Sequence, residues 1–306
     1  MTDIKKDQRI LILGGSGFVG YHIFKLLNSK FEVYGSFLTN SKVIDKYNEQ
    51  FFKINILNYA EMHKIIKKLM PHYVINCIAI SSARKAEKMQ NLAYQVNVKG
   101  TENIVKICRE TGAKLIHFST DNVFDGKKKA NEYYTELDTP NPINFYGKSK
   151  LLSEKIALKI DDSIVLRSSL VYGNVFTDQH KNFVYEIIEK CNNNERIYAY
   201  FDQYRTPISV LDIARLIKEI IINKKRDLYG IYNIAGPEPL SRYEIAIKTC
   251  EIFGLNLNLI EKTFCNDPIM PRNLLLDPSR ISNSINFKFI NFKKGLLEIQ
   301  EHGLKK

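Results

Sequence analysis

Short apolar runs alternate with helix-length stretches through the first half of the chain, and this alternation limits the fold more than any other feature. The apolar runs are Ile10–Leu13, Phe31–Ser36, Phe51–Ile56, Tyr73–Ile80, Lys114–Ser119 and Ser163–Arg167. Helical spacing of apolar residues lies between them, at Phe18–Asn28, Asn58–Met70, Asn91–Thr111 and Phe145–Ile160. Because each parallel strand needs a long crossover, the pattern predicts an α/β fold with a doubly wound, Rossmann-like parallel sheet.

The rhythm changes after about residue 168, where strand-like and helical segments mix and prolines become frequent. We therefore predict a dinucleotide-binding domain at 1–168, with returning segments near 207–236, and a smaller α/β substrate lobe at 169–306. In open α/β sheets of this kind the ligand lies in a crevice beside the carboxyl ends of the strands.

A glycine-rich turn joins the first apolar run to the first helical stretch. Gly14 permits a tight turn, Gly17 allows a pyrophosphate to approach the backbone, and Gly20 allows close packing of helix on strand. Ser16, Phe18 and Val19 lie in and next to this turn, and we predict that they contact the cofactor together with the three glycines. Strand-to-helix turns also use glycine for conformation alone, but the position between strand and helix predicts a dinucleotide site.

The end of the second strand bears on the choice of cofactor. A carboxylate there would bind the 2′-hydroxyl of NAD, whereas this chain has Thr39, Asn40, Ser41 and Lys42 before the first carboxylate at Asp45. Hydroxyls, an amide and a lysine suit the 2′-phosphate of NADPH better. NADPH is the predicted cofactor, and NADH stays open.

Two Tyr-x-x-x-Lys pairs occur, Tyr21/Lys25 and Tyr146/Lys150. Side chains four residues apart share one face of a helix, and an ammonium beside a phenol lowers the phenol pKa, so that the phenol can act as a general acid toward a carbonyl. Tyr146/Lys150 follows an apolar strand that ends in Ser119 and Thr120. Either hydroxyl could polarise a substrate carbonyl, and the sequence does not choose between them.

These motifs together resemble the extended short-chain dehydrogenase/reductase superfamily, and in detail the dTDP-4-dehydrorhamnose reductase family, over nearly the whole chain. Besides the glycine turn, the matching segments are Asn76–Ala79, Ala93–Asn97, Ser119–Gly126, Tyr146–Lys150, Leu166–Gly173, Asn182–Val184, Asp202–Gln203, Thr206–Pro207 and Asp212–Ala214. The resemblance implies an NAD(P)H-dependent reductase that acts on a 4-keto-6-deoxy nucleotide sugar. It also implies that the sugar is carried on dTDP and that the product serves deoxysugar or surface polysaccharide synthesis.

The resemblance also implies a set of site residues. The catalytic set is Thr120, Tyr146 and Lys150. The cofactor contacts beyond the glycine turn are Thr39, Asn55, Ile56, Cys77 and Ala79, together with Tyr146 and Lys150. The nucleotide-sugar contacts are Ser81, Asp121, Asn122, Asn182, Phe183, Gln203, Arg205 and Arg272.

Several positions separate this chain from its neighbours. Asn122 stands where the 4,6-dehydratases of the superfamily carry a glutamate that takes part in water elimination. An amide cannot act as that acid or base, so the resemblance favours reduction over dehydration. Arg205 replaces a glycine that is usual in the family, and Pro271-Arg272 reverses a frequent Arg-Pro order. Asn55 stands where an aspartate commonly contacts the adenine. The changes at Arg205 and at Pro271-Arg272 concern the sugar-nucleotide end, so they leave the nucleotide and the sugar open, and they do not affect the catalytic set.

Two other functions stay open. One is a different nucleotide-sugar reductase or epimerase of the superfamily. The other is a non-catalytic NADP-binding subunit that resembles the regulatory β subunit of methionine adenosyltransferase, although the intact Thr120, Tyr146 and Lys150 favour an enzyme.

The charge and the cysteines limit partners and location. The net charge is +12, and residues 1–100 hold 15 basic against 7 acidic residues, which suits the two anionic ligands. The lysines are dispersed and form no basic stripe interleaved with aromatic residues, which argues against nucleic acid as a partner.

The five cysteines are scattered, so we predict reduced thiols and no metal site. The chain has a polar start and no long apolar stretch, which predicts a cytoplasmic protein with no membrane contact. The oligomeric state is open, with a homodimer as one option.

Overall fold

The computed structural model describes residues 8–39, 45–176, 181–223 and 228–301, and these fall into two compact units. The first unit comprises residues 1–120, 144–167 and 213–232. The second comprises residues 121–143, 168–212 and 233–306. The chain therefore passes between the units several times. The assignment of cofactor binding to one unit and of sugar binding to the other stays a proposal.

Fourteen strands lie within the described residues. They are β1 (Arg9–Leu13), β2 (Glu32–Phe37), β3 (Phe51–Lys53), β4 (Tyr73–Asn76), β5 (Lys114–Thr120), β6 (Ile164–Ser168), β7 (Val171–Tyr172), β8 (Ile197–Tyr200), β9 (Tyr204–Arg205), β10 (Ile208–Ser209), β11 (Gly230–Ile234), β12 (Leu240–Ser241), β13 (Ile260–Thr263) and β14 (Asn273–Leu274).

Eleven α-helices lie in the same described ranges. They are α1 (Phe18–Leu27), α2 (Tyr59–Leu69), α3 (Ala83–Lys88), α4 (Gln90–Tyr94), α5 (Gly100–Thr111), α6 (Phe145–Ala157), α7 (Phe183–Asn192), α8 (Val210–Ile222), α9 (Arg242–Phe253), α10 (Ser279–Ile285) and α11 (Phe292–Glu301).

A seven-stranded sheet with the order β11-β6-β5-β4-β1-β2-β3 forms the centre of the first unit. The pairs β3–β2, β2–β1, β1–β4 and β4–β5 are parallel. Strands β1 and β4 are apolar on both faces and almost fully buried, as strands covered by helices on both sides must be. The predicted Rossmann-like α/β fold is confirmed.

Capping residues set the ends of several helices in both units. Asn58 caps α2 by accepting a hydrogen bond from the Glu61 N–H, and Gly112 ends α5 in the left-handed conformation. Ser241 and Glu244 form a reciprocal capping box at the start of α9. Asn58 and Gly112 explain why α2 begins, and α5 ends, within a residue of the predicted positions.

One stretch that was predicted as a single regular helix is interrupted by a π-helical turn in the structure. The stretch Asn91–Thr111, expected as a single helix, is α4, a π-helical turn at Gln95–Lys99, and then α5. The Gly100 N–H donates to the Gln95 carbonyl, which is the i to i−5 bond of a π-turn. The periodicity of apolar residues cannot distinguish one wide turn from a regular helix, so the sequence pattern missed it.

The second unit holds three small sheets, with the orders β10-β7, β12-β9-β14 and β13-β8. Its core is a separate apolar cluster, built on α7, α9 and α11 by residues that include Ile187, Ile245, Cys250, Phe292 and Leu296. Each unit thus buries its own hydrophobic core, which is what allows each to be compact by itself.

Close packing of α1 on the glycine turn gives a first prediction. A Cβ atom added at Gly20 would lie 2.2 Å from the Gly14 carbonyl oxygen, whereas one added at Gly17 would lie 3.1 Å from the same atom. We expect Gly20→Ala to lower the free energy of unfolding by about 1–3 kcal/mol because backbone must move. Urea unfolding followed by far-UV circular dichroism measures it.

The matched control is Gly17→Ala, whose backbone φ of −81° is open to alanine. We expect that variant to unfold close to the wild-type midpoint. Equal stability of the two variants would contradict the packing argument.

Candidate active site

The glycine turn between β1 and α1 is shaped for close backbone approach. Gly14 has a φ of +80°, and its N–H donates to Ser36 Oγ at 2.9 Å. The Gly17 N–H donates to the Gly14 carbonyl at 2.9 Å, which closes the turn. Gly17 is the N-cap of α1 and has no side chain to cap the first-turn N–H groups. Those donors fit an anionic phosphate, and the missing side chain at Gly20 lets the helix pack directly on the Gly14 carbonyl.

The residues predicted to contact the cofactor follow the carboxyl ends of successive parallel strands. Ser16, Phe18 and Val19 follow β1, Thr39 follows β2, Asn55 and Ile56 follow β3, and Cys77 and Ala79 follow β4. Because these strands are parallel, their carboxyl ends share one edge of the sheet. The structure therefore brings the predicted cofactor residues to one edge. Lys42, also suggested for a phosphate, lies outside the described residues.

Their local contacts differ. Thr39 is exposed, Ser16 and Ile56 are buried, and Phe18, Val19 and Ala79 are half-buried. Asn55 Oδ1 accepts a hydrogen bond from the Leu57 N–H at 3.0 Å, so this side chain also stabilises its own loop. Burial strongly raises the pKa of the Cys77 thiol, which is therefore neutral and no nucleophile.

Strand β5 and helix α6 carry the predicted catalytic set within the first unit. Thr120 is the last residue of β5 and is buried, while Tyr146 is the second residue of α6 and is half-buried. Asn144 caps α6 by accepting a hydrogen bond from the Gly147 N–H at 2.8 Å. Lys150 follows Tyr146 by one turn on the same helix.

Lys150 is unusual because its ammonium-bearing side chain is only 2% exposed. Its Nζ lies 3.2 Å from His117 Nε2, a residue in the middle of β5. Burial lowers the Lys150 pKa to about 8, although nearby Glu154 acts in the opposite direction. A lysine with this pKa changes its charge close to neutral pH, where an ordinary lysine does not.

A second buried group on the same helix is ion-paired. Glu154 Oε1 accepts from Arg167 Nε at 2.9 Å, and Glu154 Oε2 accepts from Arg167 Nη2 at 2.7 Å. Ser119 Oγ also donates to Glu154 Oε1, at 2.5 Å. This bidentate pair ties β5, β6 and α6 together, and it commits the Ser119 hydroxyl proton to a carboxylate. Sequence reasoning missed Glu154, although it lies four residues after Lys150.

Asn97, on the π-turn, holds the loop after β4 against α6. Its Oδ1 accepts from the Ile80 N–H at 2.8 Å, and its Nδ2 donates to Ser149 Oγ at 2.9 Å. Ser149 Oγ in turn donates to the Tyr146 carbonyl. Ser81, a predicted substrate contact, is exposed in the loop that Asn97 anchors.

The predicted nucleotide-sugar residues other than Ser81 lie in the second unit. Arg205 is buried there, and its Nε lies 3.4 Å from Asp121 Oδ2. Its Nη1 donates to the Tyr204 and Arg272 carbonyls and its Nη2 to the Pro271 carbonyl, at 2.7 to 3.0 Å. Arg205 thus fixes the backbone at Pro271 and Arg272, and its direct contact with a ligand stays a prediction.

Gln203 and Phe183 meet at a residue that sequence reasoning did not identify, Arg242. Arg242 Nε donates to Gln203 Oε1 at 3.1 Å, and its guanidinium carbon lies 4.6 Å from the centre of the Phe183 ring. Burial and the nearby Arg205 charge lower the Arg242 pKa to about 9. A cation in this environment favours an anionic ligand, and no local sequence signal identifies it, since Arg242 and Gln203 are 39 positions apart.

The remaining predicted substrate residues have structural bonds of their own. Asn182 caps α7 and also donates from Nδ2 to the Gly173 carbonyl at 2.8 Å. Asn122 Nδ2 donates to Asp121 Oδ1 at 2.8 Å. Arg272 is 61% exposed, with Nε at 3.5 Å from Asp202 Oδ2. Each could serve a ligand as well, which stays a prediction.

Two further findings concern the described ranges as a whole. No helix within them has the length and the apolar content that crossing a membrane requires. In the same part of the chain, no three His, Cys, Asp or Glu side chains are grouped so that they could hold a metal ion. The five cysteines are free thiols, four of them buried.

Comparison with known proteins gives a consistent result. The RmlD substrate binding domain family matches residues 8–303. The dTDP-4-dehydrorhamnose reductase of Aggregatibacter actinomycetemcomitans is 29% identical over 309 residues, covering 96% of this chain and 99% of that protein. The methionine adenosyltransferase 2 subunit beta of Bos taurus is 28% identical over 285 residues, covering 90% and 82%.

Among solved structures, the dTDP-4-dehydrorhamnose reductase of Bacillus anthracis, crystallised in complex with NADP, is similar with a TM-score of 0.84. It is 25% identical, and the match covers 97% of this chain and 99% of that one. The Rossmann-like sheet and the family motifs thus occur together over nearly the whole length. The chain belongs to the RmlD substrate binding domain family, within the extended short-chain dehydrogenase/reductase superfamily.

Proposed function

We propose that this protein is an NADPH-dependent reductase of a 4-keto-6-deoxy nucleotide sugar, similar to dTDP-4-dehydrorhamnose reductase, in deoxysugar or surface polysaccharide synthesis. The observation that carries the proposal is the arrangement of Thr120, Tyr146 and buried Lys150 on β5 and α6. Family membership and the Aggregatibacter reductase support it. A protein that only bound a cofactor would not need this set.

The cofactor would lie along the strand ends of the first unit, with its diphosphate at the glycine turn. The first turn of α1, whose N-cap Gly17 has no side chain to bond the N–H groups there, fits that group. The end of β2 has Thr39 and no carboxylate among the described residues 36–39, which favours NADPH over NADH. The NADP complex of the Bacillus anthracis relative supports the same choice.

The chemistry divides between the cofactor and three side chains. Bound NADPH would supply a hydride to the carbonyl carbon, so that the ketone is reduced to an alcohol and the cofactor is oxidised. Thr120 donates a hydrogen bond that polarises the carbonyl. Tyr146 gives its phenolic proton to the carbonyl oxygen and later regains a proton from water. Charged Lys150 stabilises the phenolate that forms between these steps.

The substrate would be held by the second unit. Arg242 offers a cation beside Gln203 and the Phe183 ring, which suits a nucleotide diphosphate. Arg205 and Asp121 hold each other and the backbone at Pro271. The sugar and the base of the nucleotide are open, and NADPH oxidation with 4-keto sugars carried on dTDP, UDP, GDP and CDP tests them directly.

A second candidate function is supported by the methionine adenosyltransferase 2 subunit beta proteins, which are 27–28% identical over most of this chain. In that case the chain would bind NADPH as a non-catalytic subunit. Tight NADPH binding without oxidation across the same nucleotide-sugar panel would support this candidate and contradict the reductase.

Replacing the proposed acid tests the mechanism. We expect Tyr146→Phe to lower kcat by about 10²–10⁴-fold, because the carbonyl oxygen loses its proton donor, while NADPH affinity stays nearly intact. Tyr21→Phe is the matched control, since it removes a phenol from the other Tyr-x-x-x-Lys pair, on α1. Stopped-flow NADPH oxidation and fluorescence titration give the two readouts. Turnover near wild type in Tyr146→Phe would refute the assignment.

The two hydroxyls at the end of β5 can be separated in the same assay. Ser119 donates to the buried Glu154 carboxylate, so we propose Thr120 as the group that polarises the carbonyl. We expect Thr120→Val to lower kcat by about 10²–10³-fold.

The paired variant is Ser119→Ala, which should keep most of kcat and lower the unfolding midpoint, because Glu154 loses a hydrogen bond inside the core. The reverse pattern, with kcat lost in Ser119→Ala and kept in Thr120→Val, would assign the role to Ser119.

A further inference from the structure

His117 occupies the centre of β5, fully buried, between Asn76 on one side and α6 on the other. The orientation of the Asn76 amide is set by a backbone group, since its Oδ1 accepts from the Ile78 N–H at 3.1 Å. Asn76 Nδ2 therefore faces His117 Nδ1, at 3.1 Å. An amide nitrogen only donates, so His117 Nδ1 must accept and carries no proton.

The ring proton of a neutral His117 is consequently on Nε2. Burial, reinforced by the Lys150 charge, lowers the His117 pKa well below its ordinary value, so the ring is neutral. Its Nε2 lies 2.9 Å from Ser153 Oγ and 3.2 Å from Lys150 Nζ. The Ser153 hydroxyl gives its own proton to the Lys150 carbonyl at 2.8 Å, which leaves Ser153 Oγ to accept from the ring.

Lys150 thus faces a hydrogen-bond donor. An ammonium has three donors and no acceptor, whereas a neutral amine has a lone pair that can accept an N–H. The ring N–H therefore favours the neutral amine over the ammonium. The other groups that act on Lys150 are the Cys77 thiol after β4 and Glu154 on α6. Tyr146 lies one turn earlier on the same helix. Of these, Glu154 favours the charge, but it is shared with Arg167.

We propose that His117 is a positioning residue for Lys150: with its tautomer fixed by Asn76, its Nε2–H is shared between Ser153 Oγ and the amine, and it sets the pH at which Lys150 loses its proton. Asn76 and His117 then act on the reaction without touching the substrate. The kinetic consequence rests on the proposed function, because only there does the Lys150 charge support Tyr146. In that case reduction slows as the pH rises past about 8.

Nuclear magnetic resonance tests the inference on the full chain without substrate. The ¹⁵N shifts of the His117 ring report its tautomer, and the ¹³Cε shift of Lys150, assigned by its loss in Lys150→Met, reports its titration. We expect a protonated Nε2 and an unprotonated Nδ1 from pH 6 to 9, and a Lys150 midpoint near 8. A protonated Nδ1 in the wild type would overturn the proposal, and this result needs no variant.

A variant that reverses the His117 tautomer gives a more stringent test. In Asn76→Asp the new carboxylate accepts from Nδ1–H, so Nε2 becomes an acceptor toward Lys150, and the midpoint should rise by about 1–3 pH units. The double variant Asn76→Asp with His117→Phe keeps the new charge without the ring, and most of the rise should be lost. An equal rise in both variants would overturn the proposal.

A control variant and a kinetic readout complete the design. Ser153→Ala removes the other acceptor of Nε2–H and should leave the tautomer unchanged, so a changed tautomer would count against Asn76 as its cause. If wild-type protein turns over a keto-sugar nucleotide, the alkaline limb of its kcat profile should move with the Lys150 midpoint. Absence of turnover would contradict the proposed function alone, since the resonance readouts do not need it.

Discussion

The parallel direction of β1 to β5 is the constraint on which the candidate site depends. Because these strands run the same way, each one delivers its last residues to the same edge of the sheet. The glycine turn, Thr39, Asn55, Cys77 and Thr120 are far apart in sequence and reach that edge for this reason alone. Helix α6 then adds Tyr146 and Lys150 from beside β5.

Burial of Lys150 disfavours its charged form, and the surrounding residues offset this only in part. A buried cation is disfavoured unless charges or hydrogen bonds offset the loss of water. Glu154 offsets part of it, but the same carboxylate is bound by Arg167 and Ser119. The Lys150 ammonium is therefore only partly stabilised and loses its proton easily. The same Glu154 carboxylate joins β5, β6 and α6 through Ser119 and Arg167.

Much of this could be predicted from the sequence, because the relevant signals are local. The glycine turn, the Tyr146/Lys150 spacing and the apolar strands each depend on neighbouring residues, and the structure has them in the expected elements. The Glu154–Arg167 pair, the Asn76–His117 contact and the approach of Arg242 to Gln203 join residues 13 to 41 positions apart. Such pairings depend on how strands and helices meet, which no spacing rule contains. At Arg205 the sequence predicted a ligand contact but gave no sign of its structural role, in which the buried guanidinium donates to backbone carbonyls; the ligand contact stays a prediction.

The π-turn at Gln95–Lys99 rotates the side chains that follow it around the helix axis relative to those that precede it, although the run of residues is uninterrupted. Each residue advances an α-helix by about 100°, so a turn with one extra residue offsets everything after it by about that angle. Before and within the turn, the run directs Ala93 and Asn97 inward, and Asn97 reaches the loop at Ile80. After it, α5 presents Ile104 and Cys108 to the core of the sheet. A single-residue deletion here would restore a regular helix but could align only one of these two faces with its partners, so the helix tolerates substitutions far better than changes in length.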